Sequence, residues 1–194
     1  MSDGGDPVAL FDAWFGEARA TGVALPEAMT LATATPDGAP SARVVLMKGH
    51  DTEGFVFFTD RRSRKGLELA ANPRAALVFQ WDALRRQVRA EGAVAPVGDD
   101  ESREYYRTRP RGSQIGAWAS HQSAVLASRA ELEAGVAAVE ARFAGVDPPL
   151  PPHWGGYRLT PHRYEFWTHD DARLHHREVF ARTGDTWSRH LLAP

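Results

Sequence analysis

Residues 28–59 read AMTLATATPDGAPSARVVLMKGHDTEGFVFFT, and this stretch decides the predicted fold. It contains three apolar runs, over residues 28–35, 41–48 and 55–59. Pro36-Asp37-Gly38 and a polar segment ending at Gly54 separate the runs, and both are turn signals. Short runs joined by such turns are typical of antiparallel strands that follow one another in a meander.

The chain on either side of this meander predicts more strands and a few helices. The predicted strands lie over 75–81, 86–94, 156–159 and 164–167, with a hairpin around Gly184-Asp185. The predicted helices lie within 1–24, over 63–72 with Leu67 facing inward, from Asp99 to before Pro110, and from the capping box at Ser128 to Gly145. Many short strands with few helices predict one mainly β domain over 1–194, a barrel with flanking helices.

The bulk composition narrows the function classes. The chain has 194 residues, 43% of them hydrophobic and 25% charged, which fits one globular domain. A net charge of −2 gives no electrostatic case for binding nucleic acid or an anionic membrane. The absence of cysteine excludes disulfides and thiolate catalysis. Residues 1–6 lack the apolar core of a secretory signal, and no apolar run reaches membrane-spanning length, so we expect a soluble, cytoplasmic protein.

Two groups of cations are candidate phosphate sites. Ser63-Arg64-Lys65-Gly66 follows a predicted strand at the start of a helix, where free backbone N–H groups and cations together suit a phosphate. Tyr105 and Arg109 are four residues apart and share a helix face, with Arg111 and Ser113 close behind. The alternative for both groups is a solvated, charged helix end, and each motif taken alone favours that alternative.

Two further segments are candidate ligand contacts. Residues 112–120, followed by Gln122-Ser123, are too rich in small and polar side chains to predict a regular helix, and such segments often line ligands. Residues 169–177 hold two aspartates and three histidines, which raises a metal hypothesis, but no helical His-x-x-x-His pair supports it. A polar turn is favoured there, although Arg173, His175 and Arg177 share one face if the chain is extended.

Several segments, taken in order, resemble those of the pyridoxamine 5′-phosphate oxidase family. They are SARVVLMKG from Ser41, FVFFTDRRSRKG, NPRAALVFQW, RQVRAEG, YYRTRPRGSQIGAWASHQS, PPHWGGYRL, EFW, RLHHR and the closing LLAP. The resemblance runs from about Ala28 to Pro194. It implies an FMN-binding split β-barrel that forms a homodimer, with FMN in the cleft between the subunits and residues 156–194 completing the active site.

The resemblance also implies roles for particular residues. The implied FMN-binding residues are Arg43, Val44, Val45, Leu46, Met47, Lys48, Phe58, Thr59, Arg64, Lys65, Gln87, Gln122, Ser123, Trp167 and Arg177. The implied substrate-binding residues are Lys48, Tyr105, Arg109, Ser113, Arg173, Leu174 and His175. Arg173 and His175 are the implied catalytic pair over the substrate ring, and no metal is implied. The implied reaction is oxidation of pyridoxamine or pyridoxine 5′-phosphate by O2 to pyridoxal 5′-phosphate and hydrogen peroxide.

Several positions depart from the family pattern, among them three single residues. Phe58 stands where relatives often have tyrosine, His176 replaces the aspartate of Arg-Leu-His-Asp-Arg, and Leu191 replaces an arginine near the C-terminus. The alternatives are therefore a related oxidase for another aromatic substrate, as in phenazine biosynthesis, a non-enzymatic binder of FMN or pyridoxal phosphate, and an interaction barrel without a cofactor. The phosphate-binding set around Arg109 favours a phosphorylated substrate.

Overall fold

The computed structural model describes residues 5–194, which fold around one antiparallel sheet. The strands are Ala28–Ala34 (β1), Pro40–Leu46 (β2), Gly49–Asp51 (β3), Gly54–Asp60 (β4), Arg74–Trp81 (β5), Arg86–Pro96 (β6), Trp154–Thr168 (β7), His176–Thr183 (β8) and Thr186–Leu191 (β9). The helices are Pro7–Ala20 (α1), Arg64–Ala71 (α2), Asp99–Thr108 (α3), Arg111–Ala119 (α4) and Arg129–Arg142 (α5). The predicted mainly β fold with flanking helices is confirmed.

Strand β7 is where the sheet divides. The strands are ordered β2-β1-β5-β6-β7-β4-β3, and β8 and β9 continue from β7. One edge of β7 pairs with β6 along most of its length. The other edge pairs with β4 over residues 154–159 and with β8 over residues 163–168. The sheet therefore curls into a half-barrel with two separate arms, one ending in β3 and the other in β9.

A β-bulge bends the β6–β7 pair. It lies between Glu91 and Gly92, and Gly92 pairs with Pro161. A Cβ atom on Gly92 would lie 2.1 Å from the carbonyl oxygen of Thr160, so glycine is required for the close approach. The prediction of two strands over 156–159 and 164–167 is wrong, because Pro161 lies at the bulge, where a strand tolerates proline.

Helix α1 packs against the hydrophobic core of the sheet. Asp6 caps its N-terminus by accepting a hydrogen bond from the Val8 amide at 2.9 Å. Its buried Phe11 ring lies 4.9 Å from the Phe55 ring and 5.0 Å from the Phe79 ring. Aromatic contacts of this kind join the helix to the core between the strands.

Two local predictions were overridden by tertiary contacts. Residues 111–119 form the regular helix α4, because the Gln114 side chain is buried and donates to the Tyr106 and Arg109 carbonyls, both at 3.1 Å. Leu67 is 62% exposed instead of facing inward. Helix α2 turns Glu68 inward in its place, where the carboxylate accepts a hydrogen bond from the Ser41 hydroxyl.

No helix within residues 5–194 combines the length and the apolar character needed to cross a membrane. The lack of a secretory signal is predicted from residues 1–6. Residues 1–4 of this segment lie outside the described part of the chain.

Candidate active site

A cavity of about 680 Å³ lies among strands β2 and β4, the start of α2, and helices α3 and α4. It gathers most of the residues predicted to bind FMN or the substrate phosphate: Arg43, Val44, Val45, Leu46, Lys48, Phe58, Thr59, Lys65, Tyr105, Arg109, Ser113 and Gln122. These residues come from separate elements, so the site exists only once the sheet and helices have packed together.

The cavity has further lining residues. Gly116, Ala117 and Ser120 lie in the segment 112–120 that the sequence indicated as a candidate ligand contact, although without a role for each residue. Asp60, Thr108, Pro110 and Trp154 were not predicted. Ser113, Gly116, Ala117 and Ser120 are spaced i, i+3, i+4 and i+7, which places them on one face of a helix. That spacing would have shown which residues of the segment face the cavity, had α4 been predicted. Trp154 carries no such periodic signal.

Lys65 is the first of two candidate anion-binding features of the cavity. Its ammonium is buried and donates hydrogen bonds to Gln122 Oε1 at 2.8 Å and to Thr59 Oγ1 at 3.1 Å. Within residues 5–194 these partners are neutral oxygens, and no carboxylate oxygen lies within 4 Å of the ammonium. Burial, and then the nearby Arg43 charge, lower the pKa of Lys65. A buried cation of this kind is stabilised by an anionic ligand.

The turn before α2 places Lys65 against strand β4. Ser63 caps the helix by accepting from the Gly66 amide at 3.3 Å, and its own hydroxyl donates to the Asp60 carbonyl at 2.6 Å. A Cβ on Gly66 would lie 2.3 Å from the Arg61 carbonyl oxygen, so the tight turn requires glycine. The result is an ammonium at a helix start, where the first-turn N–H groups also favour an anion.

Arg43 and Arg64, unlike Lys65, both contact the buried carboxylate of Glu68. Arg43 Nη1 donates to the Leu31 carbonyl at 3.1 Å, and Arg43 Nη2 lies 3.4 Å from Glu68 Oε2. Arg64 Nε donates to Glu68 Oε1 at 2.8 Å. Burial tends to raise the pKa of Glu68, but hydrogen bonds from Ser41, from Thr33 and from Arg64 outweigh it and lower the pKa to about 2. Glu68 therefore stays ionised and orients both arginines.

Three other residues that were predicted to bind FMN lie beside the main cavity: Met47, Arg64 and Ser123. Arg64 and Ser123 line an adjacent cavity of about 530 Å³, which shares Gln122 with the main one. Met47 is 7% exposed and packs in the core.

Arg109 is the second candidate anion-binding feature. Its guanidinium carbon lies 4.6 Å from the centre of the Trp154 ring, and its Nη1 is buried with no hydrogen-bond partner among residues 5–194. Burial lowers the pKa of Arg109, although the group stays charged at neutral pH. Ser113 lies in the first turn of α4, whose N-terminus adds partial positive charge on the same side.

The prediction that Tyr105 and Arg109 share a helix face is wrong, because Arg109 lies outside the helix. Helix α3 ends at Thr108, and Arg109 is extended with φ −73° and ψ 144°. Pro110 explains this, because a residue before proline is disfavoured in the helical region. Both side chains nevertheless reach the cavity.

A third group of predicted residues lies on the β8 arm. Gln87 pairs with Trp167, and Trp167 pairs with Arg177, so the three form one row across β6, β7 and β8. Arg177 Nη2 lies 2.8 Å from the buried Glu165 carboxylate. None of these three lines the main cavity formed by residues 5–194 of the same chain.

Arg173, Leu174 and His175 lie in the turn between β7 and β8. The polar turn that the sequence favoured is confirmed: Arg173 has φ +65°, and β8 begins only at His176. Asp170 explains the turn, because its side chain accepts from the Ala172 amide at 2.8 Å and its amide donates to His175 Nδ1 at 3.1 Å. These three residues also lie outside the main cavity of their own chain. Within residues 5–194 no group of three metal-binding side chains occurs.

The half-barrel and the cation-lined cavity define an FMN-binding split barrel. Residues 15–143 match the family model described as pyridoxamine 5′-phosphate oxidase. Residues 154–194 match the model described as the pyridoxine 5′-phosphate oxidase C-terminal dimerisation region. The chain belongs to the pyridoxamine 5′-phosphate oxidase family.

Individual proteins agree with this membership. The chain is 58% identical, over all of its length and 89% of the relative's, to a pyridoxine/pyridoxamine 5′-phosphate oxidase of Sphingopyxis alaskensis. It is 54% identical, over 97% of its length and 87% of the relative's, to a protein of that name from Rubrobacter xylanophilus. Among solved structures, PhzG from Burkholderia lata 383 in complex with tetrahydrophenazine-1-carboxylic acid superposes with a TM-score of 0.93 at 35% identity, covering 100% of this chain and 95% of the other.

The cofactor is FMN, and the residues of the cavity fit it. FMN carries a phosphate dianion, and the buried Lys65 ammonium lies beside the hydroxyl of Thr59 and the amide of Gln122 without a carboxylate partner in the described part of the chain. An anion is the partner that this arrangement lacks.

Proposed function

We propose that the protein oxidises pyridoxamine 5′-phosphate or pyridoxine 5′-phosphate to pyridoxal 5′-phosphate. With the amine, O2 and water are consumed, and ammonia and hydrogen peroxide are released; with the alcohol, O2 is consumed and hydrogen peroxide is released. FMN, when bound, supplies the redox chemistry by accepting a hydride from the substrate and passing the electrons to O2. The cysteine-free chain suits the reducing cytoplasm, where we place the enzyme.

The observation that carries the proposal is the presence of two separate cationic features in one cavity. Lys65 lies at one of them and Arg109 at the other, and neither has a carboxylate partner among the described residues. FMN accounts for one phosphate. A second phosphate, on the substrate, accounts for Arg109, with Tyr105, Ser113 and Lys48 lining the same cavity.

We further propose a homodimer in which the C-terminal strands of one subunit complete the cavity of the other. Residues 154–194 match a dimerisation region, and the Arg173–His175 turn lies away from the cavity of its own chain. In the proposed dimer, Gln87, Trp167 and Arg177 contact FMN. Arg173 and Leu174 lie against the substrate with His175, and the permanent charge of Arg173 orients the substrate instead of removing a proton.

The test is to mix the purified protein with FMN and each phosphorylated vitamer in air, and to follow hydrogen peroxide and pyridoxal 5′-phosphate together. Both products are expected in equal amounts. A yellow protein that yields neither product with either vitamer contradicts the proposal and supports a non-enzymatic FMN binder.

A second candidate is an oxidase for a reduced phenazine carboxylic acid. The superposition on PhzG at a TM-score of 0.93 favours it, and His176 and Leu191 depart from the family pattern near the proposed substrate edge. Tetrahydrophenazine-1-carboxylic acid therefore belongs in the same assay. Turnover of this compound without turnover of either vitamer selects the second candidate.

A further inference from the structure

We infer that Trp154 is a positioning residue for the substrate phosphate site: its ring holds the Arg109 guanidinium in place, and Gly156 allows the aromatic stack that supports the ring. The inference rests on the proposed function, because it assigns Arg109 to the substrate phosphate.

The contact between Arg109 and Trp154 is the starting observation. The guanidinium carbon lies 4.6 Å from the centre of the Trp154 ring and 5.8 Å from that of Tyr106. Within residues 5–194 a carboxylate that could hold Arg109 is absent, and its Nη1 is buried without a hydrogen-bond partner. The faces of aromatic rings therefore orient this cation while its N–H groups remain available to a ligand.

Trp154 is itself held in a group of nearly parallel rings. The Phe58 ring lies 4.1 Å from Tyr105 at an interplanar angle of 17°, and 5.5 Å from Trp154 at 10°. Tyr105 and Trp154 lie 6.2 Å apart at 8°. Tyr105 is one of these rings, and the Arg109 guanidinium lies over another, Trp154. The same group of rings therefore orients two members of the proposed phosphate site.

Gly156 makes room for this group. It pairs with Phe58 across strands β4 and β7. A Cβ on Gly156 would lie 2.7 Å from Phe58 Cε1 and 2.6 Å from Val97 Cγ2. The Gly156 amide also donates to the buried Ser102 hydroxyl at 3.2 Å, which anchors helix α3 to strand β7. The Phe58 ring can therefore lie flat beside Tyr105 only because residue 156 lacks a side chain.

The inference predicts a loss confined to phosphate recognition. Trp154→Leu is expected to raise the KM for pyridoxine 5′-phosphate about tenfold while kcat changes less than threefold, because Arg109 loses its orientation but keeps its charge. Bound FMN, read from flavin absorbance, is expected to be unchanged. Trp154→Phe retains a ring face and is expected to recover most of the affinity. Gly156→Ala, which displaces Phe58, is expected to raise KM in the same direction.

A double-mutant cycle separates positioning from a structural effect. In an Arg109→Ala background, Trp154→Leu is expected to change KM less than twofold, because there is no guanidinium left to orient. Trp14→Leu is the matched control, since the Arg86 guanidinium carbon lies 4.5 Å from the Trp14 ring centre and Trp14 does not line the cavity. This control is expected to leave KM unchanged. An equal rise in KM in the Arg109→Ala background overturns the inference, as does an unchanged KM in Trp154→Leu.

Binding of inorganic phosphate to the FMN-loaded protein, measured by calorimetry, distinguishes this inference from the proposed function. Weaker phosphate binding in Trp154→Leu than in the wild type supports the positioning role even if neither vitamer is oxidised, in which case only the proposed function fails. Equal phosphate binding in the two proteins contradicts the positioning role whatever the substrate.

Discussion

The Lys65 ammonium lies 2.8 Å from the amide oxygen of Gln122, a residue 57 positions away in the chain. This contact joins the start of helix α2 to the segment that follows α4, and the Thr59 hydroxyl donates to the same oxygen at 2.9 Å. The side chains meet at a cation that has no carboxylate partner in the described part of the chain. The buried positive charge of Lys65 therefore favours the binding of an anion in this cavity.

Lys65→Met tests whether the Lys65 ammonium binds the FMN phosphate. Removing the ammonium is expected to weaken FMN binding about 10- to 100-fold, because a charge-assisted hydrogen bond to phosphate contributes about 1.5–3 kcal/mol. Titration of the apoprotein with FMN, followed by flavin fluorescence, gives the dissociation constant. Arg129→Ala is the control, since Arg129 pairs only with the exposed Glu133 among the described residues. Tight FMN binding by Lys65→Met contradicts the role given to Lys65.

The sharing of the site between subunits is tested by combining two defective variants. Lys65→Met and Arg173→Ala are coexpressed with different tags, and the mixed dimer is isolated through both tags. If each site takes Lys65 from one chain and Arg173 from the other, the mixed dimer contains one wild-type site and about half of the wild-type activity. If each site belongs to a single chain, the mixed dimer shows no recovery beyond the two parent variants.

Glu68 predicts an acid-dependent loss of stability. Hydrogen bonds from Ser41, Thr33 and Arg64 outweigh burial and lower its pKa from the ordinary value of 4.5 to about 2. A carboxyl group with a lowered pKa stabilises the folded protein above the unfolded pKa, and this contribution is lost as the pH falls from 4.5 towards 2. The difference between 4.5 and about 2 corresponds to a contribution on the order of 3 kcal/mol.

Glu68→Gln is the variant that isolates this effect. The free energy of unfolding, measured by urea denaturation at pH 7 and at steps down to pH 3, is expected to fall less steeply in the variant than in the wild type. At pH 7 the variant is expected to be less stable, because the ionised group is lost. Identical pH profiles for the two proteins would show that Glu68 is not the group responsible.

Alanine variants of Gly92 and Gly16 are expected to change the stability of the protein in opposite directions. Gly92→Ala is expected to destabilise the protein by about 2 kcal/mol or more, because its Cβ would lie 2.1 Å from the Thr160 carbonyl oxygen. Gly16→Ala in helix α1 is expected to stabilise it by about 0.5–1 kcal/mol, since a Cβ there meets nothing within 4 Å. Thermal unfolding of both variants measures the difference, and a stable Gly92→Ala would contradict the required close approach at the bulge.

Local pattern predicted most of the fold. The turn Pro36-Asp37-Gly38, the capping box at Ser128 and the hairpin at Gly184-Asp185 all act over a few residues, and the structure has a turn, a helix start and a hairpin at these places. The errors occur where distant contacts outweigh local preference. Helix α4 forms because Gln114 bonds to the end of α3, and β7 continues through Pro161 because the bulge at Gly92 accommodates it.

The sequence by itself determined the mainly β fold, the family resemblance and which residue types are available to bind phosphate, because strand pattern, turn chemistry and motif order are properties of neighbouring residues. The tertiary structure alone decided that Lys65 and Arg109 lie on one cavity and that Trp154 holds Arg109 there. It also decided that the Arg173–His175 turn lies away from the cavity of its own chain. Burial, the lack of a carboxylate partner and the stacking of rings depend on atoms brought together from distant parts of the chain, which no local pattern encodes.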